Sequence, residues 1–86
     1  MTLRIEQTSD GQITTLRLIG HLQAEHLAAV TEQMQSGGPR TVLDLDEVTL
    51  VDVHVIRFLG TCEEEGTELL HCPLYIREWI AREQRH

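Results

Sequence analysis

The sequence TVLDLDEVTLVDVHVIRF, at Thr41–Phe58, is the strongest indication of the fold in this chain. It opens with the β-rich run Thr41–Leu45, passes the acidic pair Asp46-Glu47 and reaches a second apolar run at Val48–Val51. The first run predicts a buried central strand, and the acidic pair predicts a turn. Asp52 then precedes a segment with helical spacing. The stretch therefore predicts a strand, a connector and an aspartate at the start of a helix.

Two strands and a helix are predicted before this stretch. Leu3–Gln7 alternates apolar and polar residues, and Ile13–Ile19 is a second β-rich run. The Ser9–Gly11 sequence between them predicts a hairpin turn, because Asp-Gly supplies the positive φ that tight hairpins need. The Gly20–Gln23 sequence is expected to break the second strand. Apolar residues at helical spacing then predict a helix over Ala24–Gln35.

Two more helices and a short strand are predicted in the rest of the chain. The Gly-Gly-Pro run in Ser36–Pro39 is expected to end the first helix. Val53–Glu65 predicts a second helix that Gly66 closes, Glu68–His71 predicts a short strand, and Pro73 predicts the start of a third helix. The order ββαβαβα predicts an α/β fold with a mostly parallel sheet, to which the hairpin adds an antiparallel edge.

Length, charge and cysteine content narrow the function classes. A chain of 86 residues is expected to form one domain over residues 1–86, with a modest core. The net charge of −7 argues against nucleic acid or anionic membrane as a partner, since both attract basic surfaces. No apolar run approaches the roughly 20 residues of a membrane span. The two cysteines make no disulfide framework, so reduced thiols and a cytoplasmic location are expected.

The chain resembles a known domain family. Leu18–Leu22, a helix, the run VLDLDEVTLVD at Val42–Asp52 and a further helix together resemble the STAS domain. This is the fold of bacterial anti-sigma factor antagonists and of the cytoplasmic domains of sulfate transporters. The resemblance extends from Leu3 to Ile80 and is carried by the apolar pattern and the LDL…V…VD signature. It implies a small four-stranded sheet with helices packed mainly against one face.

The functional signature of this family begins at the position of Asp52. Phosphorylatable antagonists have Asp-Ser-Ser-Gly-Leu there, and the partner anti-sigma kinase phosphorylates the first serine to switch binding off. This chain has DVHVI at Asp52–Ile56, with Val53 at the phosphoacceptor position. Because valine has no hydroxyl group, the resemblance implies a partner-binding surface that lacks the serine phosphoswitch.

The start of the second helix is therefore the candidate surface for binding a protein partner. Asp52 is expected to cap this helix and could also contact a cation of the partner. On the third helix, Tyr75 and Trp79 form a candidate second interface if they are exposed; otherwise they pack at the edge of the core. The residues expected at the first surface are Asp52, Val53, His54, Arg57 and Phe58.

Several partners and one enzymatic alternative are compatible with the sequence. The resemblance implies an anti-sigma factor or a kinase-like anti-sigma protein as the partner. In the alternative, the chain is an accessory subunit of the ATPase of an ABC-type lipid transporter. A small metal- or nucleotide-binding enzyme is the alternative from another class. The sequence has neither a Gly-rich phosphate loop nor HExxH spacing, so no catalytic residue, metal or cofactor is expected. The exposed edge of the hairpin could also pair two copies into a homodimer.

Overall fold

Four strands form one mixed sheet in the computed structural model, which describes residues 3–36 and 40–84. The strands are β1 (Leu3–Ser9), β2 (Thr14–Leu22), β3 (Thr41–Val51) and β4 (Glu68–Leu70). They lie in the order β1-β2-β3-β4. The pair β1–β2 is antiparallel, whereas β2–β3 and β3–β4 are parallel. The predicted hairpin and the mostly parallel sheet are confirmed.

Three helices follow the second, third and fourth strands in the described part of the chain. They are α1 (Leu27–Ser36), which a 3-10 turn at Ala24–His26 precedes, α2 (Val53–Glu64) and α3 (Leu74–Glu83). The order ββαβαβα is the predicted one, and the fold class is α/β. The residues expected to end α1 include 37–39, which lie outside the described residues. As predicted, Gly66 follows α2 with a φ of 100°, and Pro73 directly precedes α3.

The core lies between one face of the sheet and the three helices. Leu16, Leu18 and Leu22 alternate along β2 and are fully buried. Each contributes about 1.5–3 kcal/mol to folding through burial of its side chain. All three helices contribute to the same cluster, so they cover the same face of the sheet. The helix residues of this core are Val30, Val55, Ile56, Leu59, Cys62, Ile76 and Ile80.

The strand β2 is longer than the sequence predicts. The expected break at Gly20–Gln23 is wrong, because β2 continues to Leu22. Gly20 has a φ of 103°, a left-handed conformation that glycine adopts without steric cost, and the strand pairs with β3 on either side of it. Continuing the strand brings Leu22 into the core, where it is fully buried.

The expected turn at Asp46-Glu47 is also wrong, because both residues lie inside β3. Arg17 is opposite Asp44, whereas Ile19 is opposite Glu47, so β3 carries one extra residue at this point. Such a β-bulge leaves one residue out of the ladder. The Asp44 Oδ1 atom accepts a hydrogen bond from the Asp46 backbone N–H at 3.0 Å. The acidic residues therefore form a bulge, and Glu47 pairs with Arg17 on the neighbouring strand.

Helices α2 and α3 run antiparallel to each other. The Arg77 Nη1 atom, in the first turns of α3, lies 2.6 Å from Glu63 Oε2 near the end of α2. At the opposite ends, the Arg57 Nε atom lies 3.0 Å from Glu83 Oε1. The end of α3 is therefore next to the start of α2, and the start of α3 is far from it.

Candidate functional site

Asp52 connects the starts of two helical segments. It has an extended conformation (φ −117°, ψ 178°), and its Oδ1 atom accepts a hydrogen bond from the Val55 backbone N–H at 2.9 Å. Its Oδ2 atom accepts a second hydrogen bond from the Ala24 backbone N–H at 3.2 Å. Asp52 is thus the N-cap of α2, as the sequence indicates, and it also fixes the beginning of the 3-10 turn that leads into α1.

These hydrogen bonds keep the Asp52 carboxylate charged. The pKa of Asp52 lies below its ordinary value of 3.8, first because the Val55 N–H donates to it; the Ala24 N–H acts in the same direction, whereas partial burial opposes the shift. Hydrogen bonds donated to a carboxylate favour its ionised form. The side chain is therefore a fixed negative charge at the start of α2 at neutral pH.

The other residues predicted for this surface lie on the first two turns of α2. Val53 is half-buried, whereas His54 and Arg57 are exposed. Arg57 is also held by its ion pair with Glu83 at the end of α3. Phe58 is half-buried and packs against the core. The structure brings these residues together with Asp52 on one short segment, with two long polar side chains facing solvent.

Two further features lie next to this segment and were missed by the sequence reasoning. Leu50 is 54% exposed only two residues before Asp52. Sequence reasoning placed it in an apolar run, but β3 shifts register between Gly20 and His21 of its partner strand, and Leu50 lies after that shift. The second feature is the turn before α1, where the His26 Nδ1 atom accepts a hydrogen bond from the Gln23 backbone N–H at 3.1 Å.

Tyr75 and Trp79, the predicted second interface, do not form one exposed surface. Tyr75 is 48% exposed near the start of α3, and its neighbour Leu74 is 72% exposed. Trp79 is half-buried and packs against the core. Because α3 is antiparallel to α2, Tyr75 lies away from the α2 start, and the aromatic pair is split between solvent and the core edge.

Two grooves flank α2. The α1–α2 groove has a volume of about 310 Å³ and lies between α1, α2 and the first residue of β3. Its lining residues are Thr31, Met34, Gln35, Thr41, Phe58, Cys62, Glu65 and Thr67. A smaller groove of about 240 Å³ lies between α2 and the end of α3, and its lining includes Arg57 and Glu83.

The thiol groups of this chain are poorly suited to nucleophilic chemistry. Cys62 is buried at the α1–α2 groove, and burial, aided by the Glu65 carboxylate, raises its pKa to about 11. Burial also raises the pKa of the half-buried Cys72. Both thiols are protonated at neutral pH, and the thiolate is the reactive form.

The described part of the chain has neither a cluster of metal ligands nor a helix that could span a membrane. Within residues 3–36 and 40–84, no three side chains of the metal-binding types lie together in a way that could hold an ion. The helices of the same residues are all too short or too polar to cross a bilayer.

The fold is shared with a protein of solved structure. The chain is similar to the anti-sigma factor antagonist SpoIIAA in its unphosphorylated form, with a TM-score of 0.60 and 19% sequence identity. The similarity covers 90% of this chain and 79% of that one. No protein-family model and no curated protein sequence matches the chain. At this identity the similarity concerns the fold alone, and it confirms the fold that the resemblance in the sequence implies.

Proposed function

We propose that this chain is a non-enzymatic, cytoplasmic interaction module of a bacterium, which binds an anti-sigma factor through the start of α2. The fold supports this proposal, because it is shared with SpoIIAA, an anti-sigma factor antagonist. The observation that carries it is the Asp52 carboxylate, which holds the starts of two helical segments together. A partner would therefore meet a rigid corner of the fold.

The chemistry of this corner suits a protein partner. Leu50 and Val53 offer apolar surface, and the exposed His54 and Arg57 surround it with polar groups. Protein interfaces commonly have an apolar centre with a polar rim, and a few central residues carry most of the binding energy. We expect Val53 to lie near the centre of the contact, and Arg57, which Glu83 already positions, to lie at its rim.

The same corner would bind its partner without a serine phosphoswitch. Val53 occupies the first helical position of α2 and has no hydroxyl group. His54 follows it, and Thr61 is the first hydroxyl-bearing residue of α2, two turns further on. We therefore expect that incubation with the anti-sigma kinase and ATP leaves this segment unmodified. Phosphate found on residues 52–58 by mass spectrometry would contradict this part of the proposal.

A binding measurement with one substitution tests the proposal. The purified chain is titrated calorimetrically with each anti-sigma factor encoded in the genome that carries it. We expect one of them to bind, and Val53→Asp to weaken binding at least about tenfold, or roughly 1.4 kcal/mol. Aspartate is tolerated in the first turn of a helix, so this variant should keep its fold. Glu78→Ala, at an exposed position of α3, is the matched control and should bind normally.

Two outcomes would contradict the proposal. If Val53→Asp and Glu78→Ala bind equally well, the contact lies elsewhere on the molecule. If no anti-sigma factor binds, but the ATPase of an ABC-type lipid transporter does, the chain is instead an accessory transporter subunit.

A further inference from the structure

The α1–α2 groove combines an apolar floor with hydroxyl groups at its edge. Met34 and Phe58 are half-buried and pack against the core, and Cys62 is buried. The Thr41 hydroxyl is already engaged, since it donates a hydrogen bond to the Met34 carbonyl oxygen at 3.3 Å. At about 310 Å³, the groove is close to the lower limit of about 300 Å³ for ligand sites in proteins. It is suited to an inserted apolar side chain.

The charge around the groove favours a basic occupant. Glu65 lines it and is exposed, and its carboxylate is close enough to raise the pKa of the Cys62 thiol. Glu65 is the only charged residue among the described residues that line the groove, and the exposed Arg40, which directly precedes Thr41, is not part of that lining. Within the described residues, Glu65 forms no ion pair. An acidic occupant would meet like charge, whereas a basic one would supply the missing partner.

The α1–α2 groove adjoins the surface that is proposed to bind the protein partner. Phe58 belongs to both, since it lies one helical turn after His54 on α2 and lines the groove from that side. Residues four apart on a helix are neighbours on its surface. A partner segment that contacts the start of α2 can therefore reach the groove without a break in the contact.

We propose that the α1–α2 groove docks a basic amphipathic helix of the protein partner, which inserts an apolar side chain over Met34 and Phe58 and pairs a lysine or arginine with Glu65. This inference rests on the proposed function, because it assigns the groove to the same partner. It adds a second contact that the start of α2 alone does not supply.

Three synthetic peptides of about 16 residues, long enough to form helices, test this inference by fluorescence anisotropy. The first carries leucine along one face and lysine beside it, the second replaces leucine by serine, and the third replaces lysine by glutamate. We expect the first peptide to bind at least about tenfold more tightly than the others, because each of them lacks one of the two contacts. In amide spectra of the labelled protein, it should shift the signals of Thr31, Gln35, Phe58 and Thr67.

Matched pairs of variants separate the groove from general attraction to an acidic protein. Gln35→Trp fills the groove from an exposed position, whereas Ala29→Trp adds the same side chain elsewhere on α1. We expect about a tenfold loss for the first variant and less than about a twofold change for the second. Thr67→Phe is the replacement if Gln35→Trp does not fold. Glu65→Arg should weaken binding about fivefold, as for a surface ion pair, and Glu78→Arg by less than about twofold.

Equal losses in Glu65→Arg and Glu78→Arg would overturn the inference, because they would indicate nonspecific charge attraction. Amide shifts confined to Tyr75 or to β1 would overturn it as well. The peptides contain no anti-sigma factor, so their failure would leave the proposed function intact. Conversely, groove binding without any binding of an anti-sigma factor would refute only the assigned partner class.

Discussion

At the scale of single residues, Asp52 does more than the sequence indicates. Helix spacing and residue type predict its N-cap role, and the hydrogen bond to the Val55 N–H confirms it. The bond from the Ala24 N–H was not predictable, since it joins residues 28 positions apart in the sequence and depends on how β2 and β3 align. One carboxylate therefore stabilises α2 and sets its distance from the turn before α1.

Substitution of Asp52 should separate these two roles. We expect Asp52→Ala to lower the free energy of unfolding by about 1–2 kcal/mol, since loss of an N-cap alone costs about 0.5–2 kcal/mol. Asp52→Asn keeps one acceptor oxygen and should lose less. Both are measured by urea denaturation. Asp46→Ala, at an exposed position of the β3 bulge, is the control, and an equal loss in this control would contradict the role of Asp52.

The acid stability of the chain should also depend on Asp52. Its pKa in the folded protein lies below the ordinary value of 3.8, so its charged form stabilises the fold at any pH above that value. This contribution is lost as the pH falls through the lower, folded-state pKa. We expect the unfolding free energy of the wild type to fall more steeply below about pH 4 than that of Asp52→Asn. Parallel curves for the two proteins would contradict this.

At the scale of elements, helical stripes were predictable and strand lengths were not. The apolar positions of α2 and α3 repeat with helical spacing, and the structure buries Val55, Ile56 and Ile80 at these positions. An acidic pair such as Asp46-Glu47 is compatible with both a turn and a β-bulge. Only the pairing of β3 with β2 determines which of the two forms. That pairing also decides the exposure of Leu50, which no local pattern reveals.

The bulge in β3 should depend on the Asp44 side chain. Its Oδ1 atom accepts from the Asp46 N–H, and the His71 Nδ1 atom lies 3.1 Å from the same oxygen. Asp44→Ala should therefore lower the unfolding free energy by about 0.5–1.5 kcal/mol, the net contribution of an ordinary intramolecular hydrogen bond. Thermal denaturation followed by circular dichroism measures this effect. Asp46→Ala is again the control, and the account of the bulge fails if both variants melt at the same temperature.

At the scale of the whole molecule, the antiparallel packing of α2 and α3 separates two exposed surfaces. The start of α2 lies next to the end of α3, as the Arg57–Glu83 pair shows, whereas Leu74 and Tyr75 lie at the other end. The sequence indicates residues of both surfaces but not their relative placement, because no local pattern gives the direction in which α3 packs. A second interface at Tyr75 and pairing of two copies along β1 stay predictions.

Amide chemical-shift mapping of the labelled chain bound to its anti-sigma factor tests whether the start of α2 binds the partner. We predict that the perturbed signals include those of Leu50–Phe58 and of Gln23–His26, which Asp52 holds together. Signals of Tyr75 and of β1 should stay unchanged in the same spectra. Perturbations confined to Tyr75 or to β1, with the α2 start unaffected, would contradict the claim that this corner of the fold binds the partner.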